Sequence, residues 1–528
     1  MNPLVTIMSA ANSPTPAAPK SLNMAPEESI ISCLSHGAVQ EDSAVLWFVS
    51  TACTKFRKLS IKHPQEHGAP AFLITALPSQ GHINPTLQLA KNLARTGAQV
   101  TFATTVYGFS RIRNLPASGC LSFASFSDGY DDEKSQKNRD FTSFSSDTKR
   151  FGYKDLTKLI QTTSKEGRPV TFLIYTVMLP WVAEVACEMH IPSAFLAIQS
   201  ATTFAIYHRY FNSHDGFYDG VREVECSSIS IKLPDLPFFE KEDLPTFLLP
   251  NDQFFAFTVP FFHEHIKILE QDSKPCVLVN TFNELEESSI KAVDGMNLIP
   301  IGPLIPSAFS DRNDLTDKSV GVDLFDTPSK GFLQWLDSKP ERSVVYASFG
   351  SLVTLKKEEK MEILHGLKEA GRSYLLVLRA DNEQEEEVKA VVENISSEEG
   401  MIVPWCSQME VLCHRSIGCF LTHCGWNSTL ESIVAGVPIV GCPHLSDQTT
   451  NAKLIEEVWG IGVRAKANEE GVVERAEIRR CLDTVMGGGE KGEEIRRNSA
   501  KWRCMAIEAV KENGSSHNNF RNFLQKLE

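Results

Sequence analysis

Long apolar segments are missing from this sequence of 528 residues. Near the start, the longest apolar stretch runs from Ala44 to Val49, within an uncharged run that ends at Thr54. A membrane-spanning helix would need about 20 apolar residues. The first residues also lack the basic segment that precedes the apolar core of a secretory signal. We therefore expect no membrane span and a cytoplasmic protein.

An excess of positive charge is missing as well. The 52 basic residues are outnumbered by 66 acidic ones, and the formal net charge is −14. A field of this sign repels the phosphate backbone of nucleic acids and anionic membranes. We expect no nucleic-acid partner, and an anionic ligand would need a local site made of backbone amides and a few donors.

Closely paired cysteines are missing too, since none of the 13 cysteines belongs to a CxxC pair. Their odd number fits reduced thiols in the cytosol better than a disulfide framework. Cys406, Cys413, Cys419, Cys424 and Cys442 lie close together near three histidines, but a zinc site normally needs tighter pairs. We therefore predict no metal site.

The first 69 residues differ in composition from the rest of the chain. They mix Ser, Pro and Ala with scattered charges and have no lasting periodicity, which is typical of disordered segments. The acid-poor start would suit a transit peptide, but the first 25 residues contain no Arg. We predict a disordered N-terminal extension at 1–69, and its role stays open.

The segment that follows has the pattern of a β-α-β unit. An apolar run at 71–77 predicts a buried strand, and a helix is predicted to start near Pro85 with Asn84 as its cap. Gly97 would end this helix, and 99–104 predicts the second strand. Similar apolar runs recur near helical segments at 171–179, 277–281 and 343–348. This alternation predicts an α/β fold with doubly wound parallel sheets.

A change of composition between 301 and 327 predicts a linker, because Pro, Ser, Asp and Asn replace apolar residues there. Helical patterns return at 475–486 and 493–510. We predict an N-terminal domain at 70–305, an interdomain linker at 306–330, a C-terminal domain at 331–505 and a helical tail at 506–528.

One turn in the second half has the features of an anion site. A strand is predicted at 417–422, a tight turn at 423–426 and a helix at 427–435 that ends at Gly436. The free N–H groups and the dipole of such a helix suit a diphosphate. A different interpretation stays open at this point, because Ser428 and Glu431 match a capping box, which would serve helix stability alone.

A longer pattern of 44 residues surrounds this turn. It resembles the plant secondary-product glycosyltransferase box of the family 1 glycosyltransferases. The matching residues are Trp405, Cys406, Ser407 and Gln408, then His423, Cys424, Gly425, Trp426, Asn427 and Ser428, then Glu431, Gly436, Val437, Pro438, Asp447 and Gln448. The resemblance implies a GT-B fold, in which two Rossmann-like doubly wound domains face a cleft and the C-terminal domain binds a UDP-sugar.

The resemblance also implies a role for each residue of the box. Trp405 would stack on uracil, the backbone at Cys406 would pair with its edge, and Glu431 would accept the ribose hydroxyls. The other donor-binding residues would be Gln408, Gly425 and Trp426, with His423, Asn427, Ser428 and Ser351 at the diphosphate and Asp447 and Gln448 at the sugar. Gln448 is the family's usual mark of glucose, although Leu445 stands where many members carry an aromatic residue.

The acceptor side is indicated by the turn at 78–85, which resembles the family loop whose His is the general base. Outside such a motif, a lone His before a helix is more often structural. His82 would activate the acceptor, and direct displacement would invert the anomeric centre without a metal or other cofactor. Many relatives orient this His with an Asp, but the matching residue here is Thr176. A hydroxyl can hold the imidazole by a hydrogen bond without offering a full negative charge.

These observations predict an inverting glucosyltransferase that moves glucose from UDP-glucose to a hydroxyl or carboxyl group of a small plant metabolite. The segments at 127–132 and 179–181 resemble the subgroup that contains anthocyanin 5-O-glucosyltransferases, crocetin glucosyltransferases and some hormone-ester-forming enzymes. We expect a monomer whose partners are the acceptor and the UDP-sugar.

Three alternatives stay open at this stage. The protein could bind nucleotide sugars without catalysis, use another UDP-sugar, or be an NAD-dependent dehydrogenase. The last one is disfavoured, because no dinucleotide-binding fingerprint follows the strand predicted at 71–77. The GxGxxG match at 487–492 does not replace it, since it follows a predicted helix instead of a strand.

Overall fold

A computed structural model describes residues 70–112, 119–137, 143–212, 230–249, 258–310, 314–317, 331–379, 386–396 and 398–527. The predicted N-terminal extension at 1–69 lies outside the described residues, as does most of the predicted linker. Within the described part of the chain, no helix is both long enough and apolar enough to cross a membrane.

The first half of the chain forms a seven-stranded parallel sheet in the order β3-β2-β1-β4-β5-β8-β9. Its strands are β1 Ala71–Thr75, β2 Gln99–Thr105, β3 Leu121–Phe126, β4 Phe172–Thr176, β5 Ser193–Ala197, β8 Cys276–Val279 and β9 Asn297–Pro300, and a separate antiparallel pair is formed by β6 Ser230–Lys232 and β7 Phe238–Glu240. The strand order reverses between β1 and β4. In open α/β sheets, ligands bind at such a reversal, at the carboxyl ends of the strands.

Helices connect these strands, as the predicted β-α-β pattern requires. They are α1 Gln80–Arg95, α2 Val106–Arg111, α3 Glu133–Lys137, α4 Phe144–Lys165, α5 Trp181–Glu188, α6 Ala201–Phe211, α7 Val259–Gln271 and α8 Asn283–Lys291, with short 3-10 turns at Lys241–Asp243, Thr246–Leu248 and Ser307–Phe309. Strand β4 is buried along its whole length, which is typical of parallel strands with helices on both faces.

The second half forms a six-stranded parallel sheet in the order β12-β11-β10-β13-β14-β15. Its strands are β10 Val344–Ser348, β11 Tyr374–Val377, β12 Gly400–Val403, β13 Ile417–Thr422, β14 Ile439–Gly441 and β15 Gly462–Arg464. The helices of this half are α9 Gly331–Asp337, α10 Lys357–Glu369, α11 Glu386–Glu393, α12 Gln408–Leu412, α13 Trp426–Ala435, α14 Gln448–Lys453, α15 Arg475–Met486, α16 Glu490–Val510 and α17 Ser515–Gln525, and a π-helical turn spans Leu454–Val458. The strand order reverses between β10 and β13, which defines a second binding edge.

The start of α1 corrects one prediction. The helix begins at Gln80 with Ser79 at the N-cap, so Asn84 is not the cap and Pro85 lies inside the helix. The side chain of Asn84 instead accepts a hydrogen bond from Gln80, with 2.7 Å between Nε2 and Oδ1. The rule that places Pro at the first helical position therefore gave a start that is five residues late.

The helix after the predicted anion turn corrects a second interpretation. It begins at Trp426 with Gly425 at the N-cap, and it ends at Gly436, whose φ of 73° is left-handed as predicted. The side chains of Ser428 and Glu431 both accept hydrogen bonds from Gln408. The capping-box interpretation of these two residues is therefore wrong.

The last three helices, α15 to α17, run from the second sheet back to the first. Helix α15 has the predicted bounds. Of the GxGxxG match, Gly487 and Gly489 lie between α15 and α16, whereas Gly492 lies in the first turn of α16. Helix α17 then returns to the first sheet, where Phe523 packs edge-on against Phe172 at 5.5 Å between ring centroids. There Ser516 Oγ also donates to the carbonyl of Gly302 at 2.5 Å.

The cysteines depart in one respect from the expected reduced state. Nine cysteines of the described residues are free. Cys187, by contrast, takes part in a disulfide bond.

Candidate active site

A cavity of about 490 Å³ lies between the two sheets and is lined by residues of both halves. Thirteen of the fourteen predicted site residues line it: His82, Ser351, Trp405, Cys406, Gln408, His423, Gly425, Trp426, Asn427, Ser428, Glu431, Asp447 and Gln448. The exception is Thr176, which is fully buried at the end of β4 and is not one of the lining residues. Within the described residues, no group of three or more His, Cys, Asp or Glu is arranged to hold a metal ion.

His82 stands in the first turn of α1, at the carboxyl edge of the first sheet. Burial lowers its pKa to about 4, so the imidazole is neutral near pH 7 and able to accept a proton. Among the described residues, neither His82 Nδ1 nor the Thr176 hydroxyl has a hydrogen-bond partner. The structure therefore does not contain the predicted hydrogen bond between them, and the role of Thr176 stays a prediction.

A hydrogen bond joins the loop of His82 to the predicted donor helix. Pro85 has no N–H, so the carbonyl of Gly81 lacks the donor that a helix normally supplies four residues later. This carbonyl instead accepts a hydrogen bond from Asn427 Nδ2 at 3.0 Å. The Asn427 amide, predicted to bind diphosphate, thus also connects α13 of the second half to α1 of the first. Trp426 makes a similar connection, since its Nε1 donates to the carbonyl of Asn280 at 2.8 Å.

The predicted diphosphate site lies at the β10 and β13 reversal. The backbone of Gly350 and that of Gly425 pack tightly on the His423 ring. A Cβ added at Gly350 would lie 2.6 Å from His423 Nε2, and one added at Gly425 would lie 2.5 Å from it, so neither position has room for a side chain. Burial, helped by nearby His444, lowers the pKa of His423 to about 3, although a hydrogen bond with the Ser348 backbone acts in the opposite direction. His423 is therefore a neutral hydrogen-bonding group here, not a cation.

The predicted ribose site contains a hydrogen-bond network around Gln408. Its Nε2 donates to Ser428 Oγ at 2.9 Å and to Glu431 Oε2 at 2.5 Å, while Tyr346 donates its hydroxyl hydrogen to Gln408 Oε1 at 3.2 Å. Burial raises the pKa of Glu431 to about 7, and the Gln408 hydrogen bond opposes that shift. Tyr346 was missed by sequence reasoning, because it lies inside an ordinary buried strand and belongs to no motif.

The predicted sugar site is held in place by its neighbours. Asp447 accepts hydrogen bonds from Asn451 Nδ2 at 2.9 Å and from Ser446 Oγ at 3.1 Å. Gln448 Oε1 accepts the backbone N–H groups of His444 and Leu445, at 2.9 and 3.0 Å. The amide nitrogen of Gln448 is thus the part of this side chain that remains for a sugar hydroxyl.

A clamp between the two halves, formed by Asp243 and Thr246 with their partners, lies next to this sugar site. The Thr246 N–H donates to the Ser446 carbonyl and the Ser446 N–H donates to Thr246 Oγ1, both at 2.9 Å. Asp243 pairs with Lys453 at 2.9 Å and with Arg464 at 2.7 Å. Ser446 has a φ of 62°, a conformation that costs energy for a non-glycine residue and needs such support. The sequence analysis identified no motif that predicts this clamp.

The wall of the cavity formed by the first half is mostly apolar. It includes Phe144, Val177, Ile198, Phe247 and Phe262. The rings of Phe247 and Phe262 stack with 4.8 Å between their centroids. Such a surface suits an aromatic or other apolar ligand.

Comparisons with known proteins agree with this geometry. Residues 323–501 match the family model described as "UDP-glucoronosyl and UDP-glucosyl transferase". The chain is 49% identical over 460 residues to "Crocetin glucosyltransferase, chloroplastic" of Gardenia jasminoides, covering 86% of this chain and 96% of the relative. It is 46% identical over 465 residues to "Anthocyanidin 3-O-glucoside 5-O-glucosyltransferase" of Verbena hybrida, covering 86% and 98%. Among solved structures, Os79 from O. sativa in complex with UDP is similar, with a TM-score of 0.75 and 32% identity over 87% of this chain and 100% of that one.

Proposed function

Since the chain belongs to the UDP-glucuronosyl and UDP-glucosyl transferase family of plant UDP-glycosyltransferases, we propose that it transfers glucose from UDP-glucose to a small plant metabolite with inversion. The family and the GT-B fold predicted from the motifs are confirmed. The names of the relatives, which refer to crocetin and to anthocyanidin 3-O-glucoside, support glucose as the sugar and a small acceptor.

The observation that carries the proposal is the composition of the cavity between the sheets. It combines a neutral histidine from the first half with a helix N-terminus and a pair of sugar-binding candidates, Asp447 and Gln448, from the second half. These are the groups that glucosyl transfer requires: a base, an anion site for the departing diphosphate and partners for sugar hydroxyls.

The reaction follows from these groups. His82 accepts the proton of an acceptor O–H group, and we assign this role to Nε2 because Nδ1 is buried. The acceptor oxygen forms a bond to the anomeric carbon as the bond from that carbon to the diphosphate breaks. UDP leaves with the electron pair, and the free N–H groups of α13 stabilise its charge. Displacement from the opposite face turns an α-linked donor glucose into a β-glucoside.

The presence of Thr176 in place of an Asp bears on how acidic the acceptor must be. Thr176 stands where many relatives carry an Asp, and His82 Nδ1 has no hydrogen-bond partner among the described residues, so none of their carboxylates is bonded there to stabilise the imidazolium. An acceptor that ionises easily, such as a phenol or a carboxylic acid, demands less of the base. We therefore propose an acidic acceptor and expect phenols to react faster than aliphatic alcohols of the same size.

Three further properties belong to the proposal. We propose that no metal or other cofactor takes part, because the helix N-terminus and neutral donors at the diphosphate site can stabilise the leaving group. We propose a monomer, because both halves of the cavity come from one chain. We propose a cytoplasmic location because nine of the ten cysteines in the described residues are free; the disulfide of Cys187 and the name of one relative, which is chloroplastic, stand against it. A fluorescent fusion would test the location.

UDP release from UDP-glucose, measured with a panel of phenols, carboxylic acids and alcohols, tests the function. We expect turnover with some phenols or acids and product masses that increase by one hexose unit. UDP-galactose in the same assay tests the preference assigned to Gln448. A second candidate, a nucleotide-sugar-binding protein without catalysis, is favoured only by the missing contact of Thr176. Tight UDP-glucose binding without turnover on any acceptor would support that candidate instead.

A further inference from the structure

A second cavity of about 20 Å³ adjoins the wall of the main cavity in the first half. Four residues line both cavities: Val177, Ile198, Gln199 and Phe262. We call the small cavity the annex and define it by these four residues together with His265 and Tyr207, which line only the annex. The annex is therefore a recess in the wall of the main cavity, and an acceptor bound in the main cavity would touch this wall.

The annex contains polar groups whose hydrogen-bonding capacity is unused. His265 is 2% exposed, and neither of its ring nitrogens has a hydrogen-bond partner among the described residues. The hydroxyl of Tyr207, also 2% exposed, equally has none in the described part of the chain. The nearby Gln199 side chain lowers the Tyr207 pKa, but the two groups do not reach hydrogen-bond geometry. Buried polar groups are nearly always paired, so this arrangement indicates a missing partner.

The two side chains are held in place by aromatic packing. The His265 ring lies 5.8 Å from the Tyr175 ring, in a stacked arrangement, and 4.7 Å from the Phe195 ring. Tyr207 packs on Phe247 at 5.3 Å and on Phe262 at 4.5 Å. Because Phe247 and Phe262 also line the main cavity, an aromatic surface leads from the proposed acceptor position to the Tyr207 hydroxyl.

The size and charge of the annex restrict its occupant. A volume of about 20 Å³ holds a single oxygen-sized group. Burial lowers the pKa of His265 to about 3. Burial, together with the charge of Asp447, holds the pKa of Tyr207 well above its usual range. Both side chains are therefore neutral at pH 7, and a carboxylate would find no opposite charge there. A hydroxyl group could instead donate one hydrogen bond and accept another.

We propose that the annex is an acceptor subsite in which Tyr207 and His265 bind one uncharged hydroxyl of an aromatic acceptor. The subsite rests on the proposed function, because the rest of the acceptor would lie in the main cavity beside His82. It narrows the acceptor class to phenols that carry a second hydroxyl distant from the one that receives glucose. Tyr207 and His265 are then specificity-determining residues, since a site built to pair a hydroxyl discriminates against an analogue that lacks it.

Three acceptors test the proposal: β-naphthol, its analogue with a second hydroxyl on the far ring, and its analogue with a carboxylate at that same position. For the wild type we expect kcat/KM to be about tenfold higher for the diol than for β-naphthol. The carboxylate analogue should be the poorest of the three. Equal kcat/KM values for the diol and β-naphthol would overturn the proposal and leave the annex as a site for water only.

Two variants, Tyr207→Phe and His265→Phe, remove the hydrogen-bonding groups and keep an aromatic ring. In each variant, kcat/KM for the diol divided by kcat/KM for β-naphthol should be close to one. Tyr210→Phe, the same change on the same helix outside the annex, should keep the wild-type ratio. UDP-glucose binding checks that each variant is folded, and either variant alone suffices for the comparison. A wild-type ratio in both would contradict the proposal.

Failure of the proposed function would be distinguishable from failure of the subsite. If no acceptor yields UDP, the transferase proposal fails for this panel, and equilibrium binding of the same three compounds still tests the annex. Tighter binding of the diol that disappears in Tyr207→Phe and His265→Phe would support the subsite. Equal binding of the diol and β-naphthol would refute it.

Discussion

At the scale of single residues, His82 is the group on which the proposed chemistry depends. Replacing it with Ala should lower kcat by about 10²- to 10⁴-fold, the usual contribution of a general base. The Kd for UDP-glucose should stay within about twofold, because the donor-binding candidates lie in the second half of the chain. Initial rates and calorimetry measure the two quantities. His365→Ala, on α10 and outside the cavity, serves as the control, and wild-type kcat in His82→Ala would remove His82 from the mechanism.

We expect Glu431 to make donor binding depend on pH. Its pKa is raised to about 7 by burial, so the carboxyl loses its proton as the pH rises through 7. The ionised form is the better acceptor for two ribose hydroxyls. With a pKa of about 7 and binding to the ionised form only, we expect UDP-glucose to bind about tenfold more tightly at pH 8 than at pH 6.

The matched variants for this prediction are Glu431→Gln and Glu410→Gln. The first should bind UDP-glucose weakly and without this pH dependence, while the second, on α12 and outside the cavity, should keep it. Calorimetry at several pH values provides the measurement. The same pH dependence in wild type and Glu431→Gln would show that another group is responsible.

The candidate donor-binding residues could be grouped from the sequence because their spacing is fixed in a motif, and all of them line one cavity. Their binding of the donor stays a prediction. Their hydrogen bonds could not be found in this way. The link from Gln408 to Ser428 and Glu431, and the contact of Tyr346, depend on how α12, α13 and β10 pack. Likewise, the alignment identified Thr176 but could not reveal that its hydroxyl is unpaired among the described residues.

At the scale of helices and strands, several regular elements could be predicted from local features of the sequence. Strand β13 and helix α15 have the predicted bounds, because a continuous apolar run marks the strand and a following glycine marks the end of the helix. The start of helix α1 was predicted too late, because the rule that places Pro85 at the first helical position does not allow for a helix that continues through proline. Such a helix is possible when another group donates a hydrogen bond to the carbonyl that proline leaves without a partner. That donor is Asn427, which lies more than 300 residues away in the chain.

The clamp beside α14 makes a prediction about sugar binding. Asp243→Asn weakens the pairs with Lys453 and Arg464, which anchor the segment that contains Thr246 to the second half. Thr246 in turn is hydrogen-bonded to Ser446, in the loop before Asp447. We expect KM for UDP-glucose to rise about fivefold, equivalent to roughly 1 kcal/mol. UDP binding should change less than twofold, because UDP lacks the sugar that we propose this loop contacts.

The control for the clamp is Glu242→Gln, which changes an exposed neighbouring side chain and should behave as wild type. Steady-state kinetics and UDP calorimetry distinguish the two effects. An equal loss of affinity for UDP and UDP-glucose in Asp243→Asn would indicate a general structural role instead of support for the sugar site.

At the scale of the whole molecule, the arrangement of two sheets around one cavity follows from the strand order. Both sheets reverse their order at the edge where the cavity lies. The sequence predicted parallel α/β sheets from local pattern, while their pairing across a cleft came from the resemblance to a family. The return of α17 to the first sheet was not predicted, because it depends on contacts such as that of Ser516 with Gly302, 214 residues apart.

Three buried histidines in both halves give the molecule an acid-sensitive stability. The pKa values of His82, His265 and His423 are lowered to about 4, 3 and 3. Between these values and about 6.5, the unfolded chain binds protons that the folded chain does not, so stability falls as the pH falls through this window. Glu431, Glu184 and Glu286, whose pKa values are raised by burial, act in the opposite direction. The pKa of His208, which burial lowers, adds to the effect of the three histidines.

We therefore expect Tm to fall when the pH is lowered from 7 to 5. His265→Phe should show a smaller fall than wild type, because one of the three groups is removed. Differential scanning calorimetry in buffers of equal ionic strength measures both changes. An equal fall in the two proteins would show that His265 titrates similarly in the folded and unfolded states.

The most direct test of the central claim follows the fate of the anomeric carbon. Purified protein is incubated with UDP-glucose labelled with ¹³C at that carbon and with a phenol that the acceptor panel has identified, and the reaction is followed by NMR. Glucosyl transfer with inversion predicts a β-glucoside that appears at the same rate as UDP. An α-glucoside, free glucose as the main product, or intact UDP-glucose would contradict it.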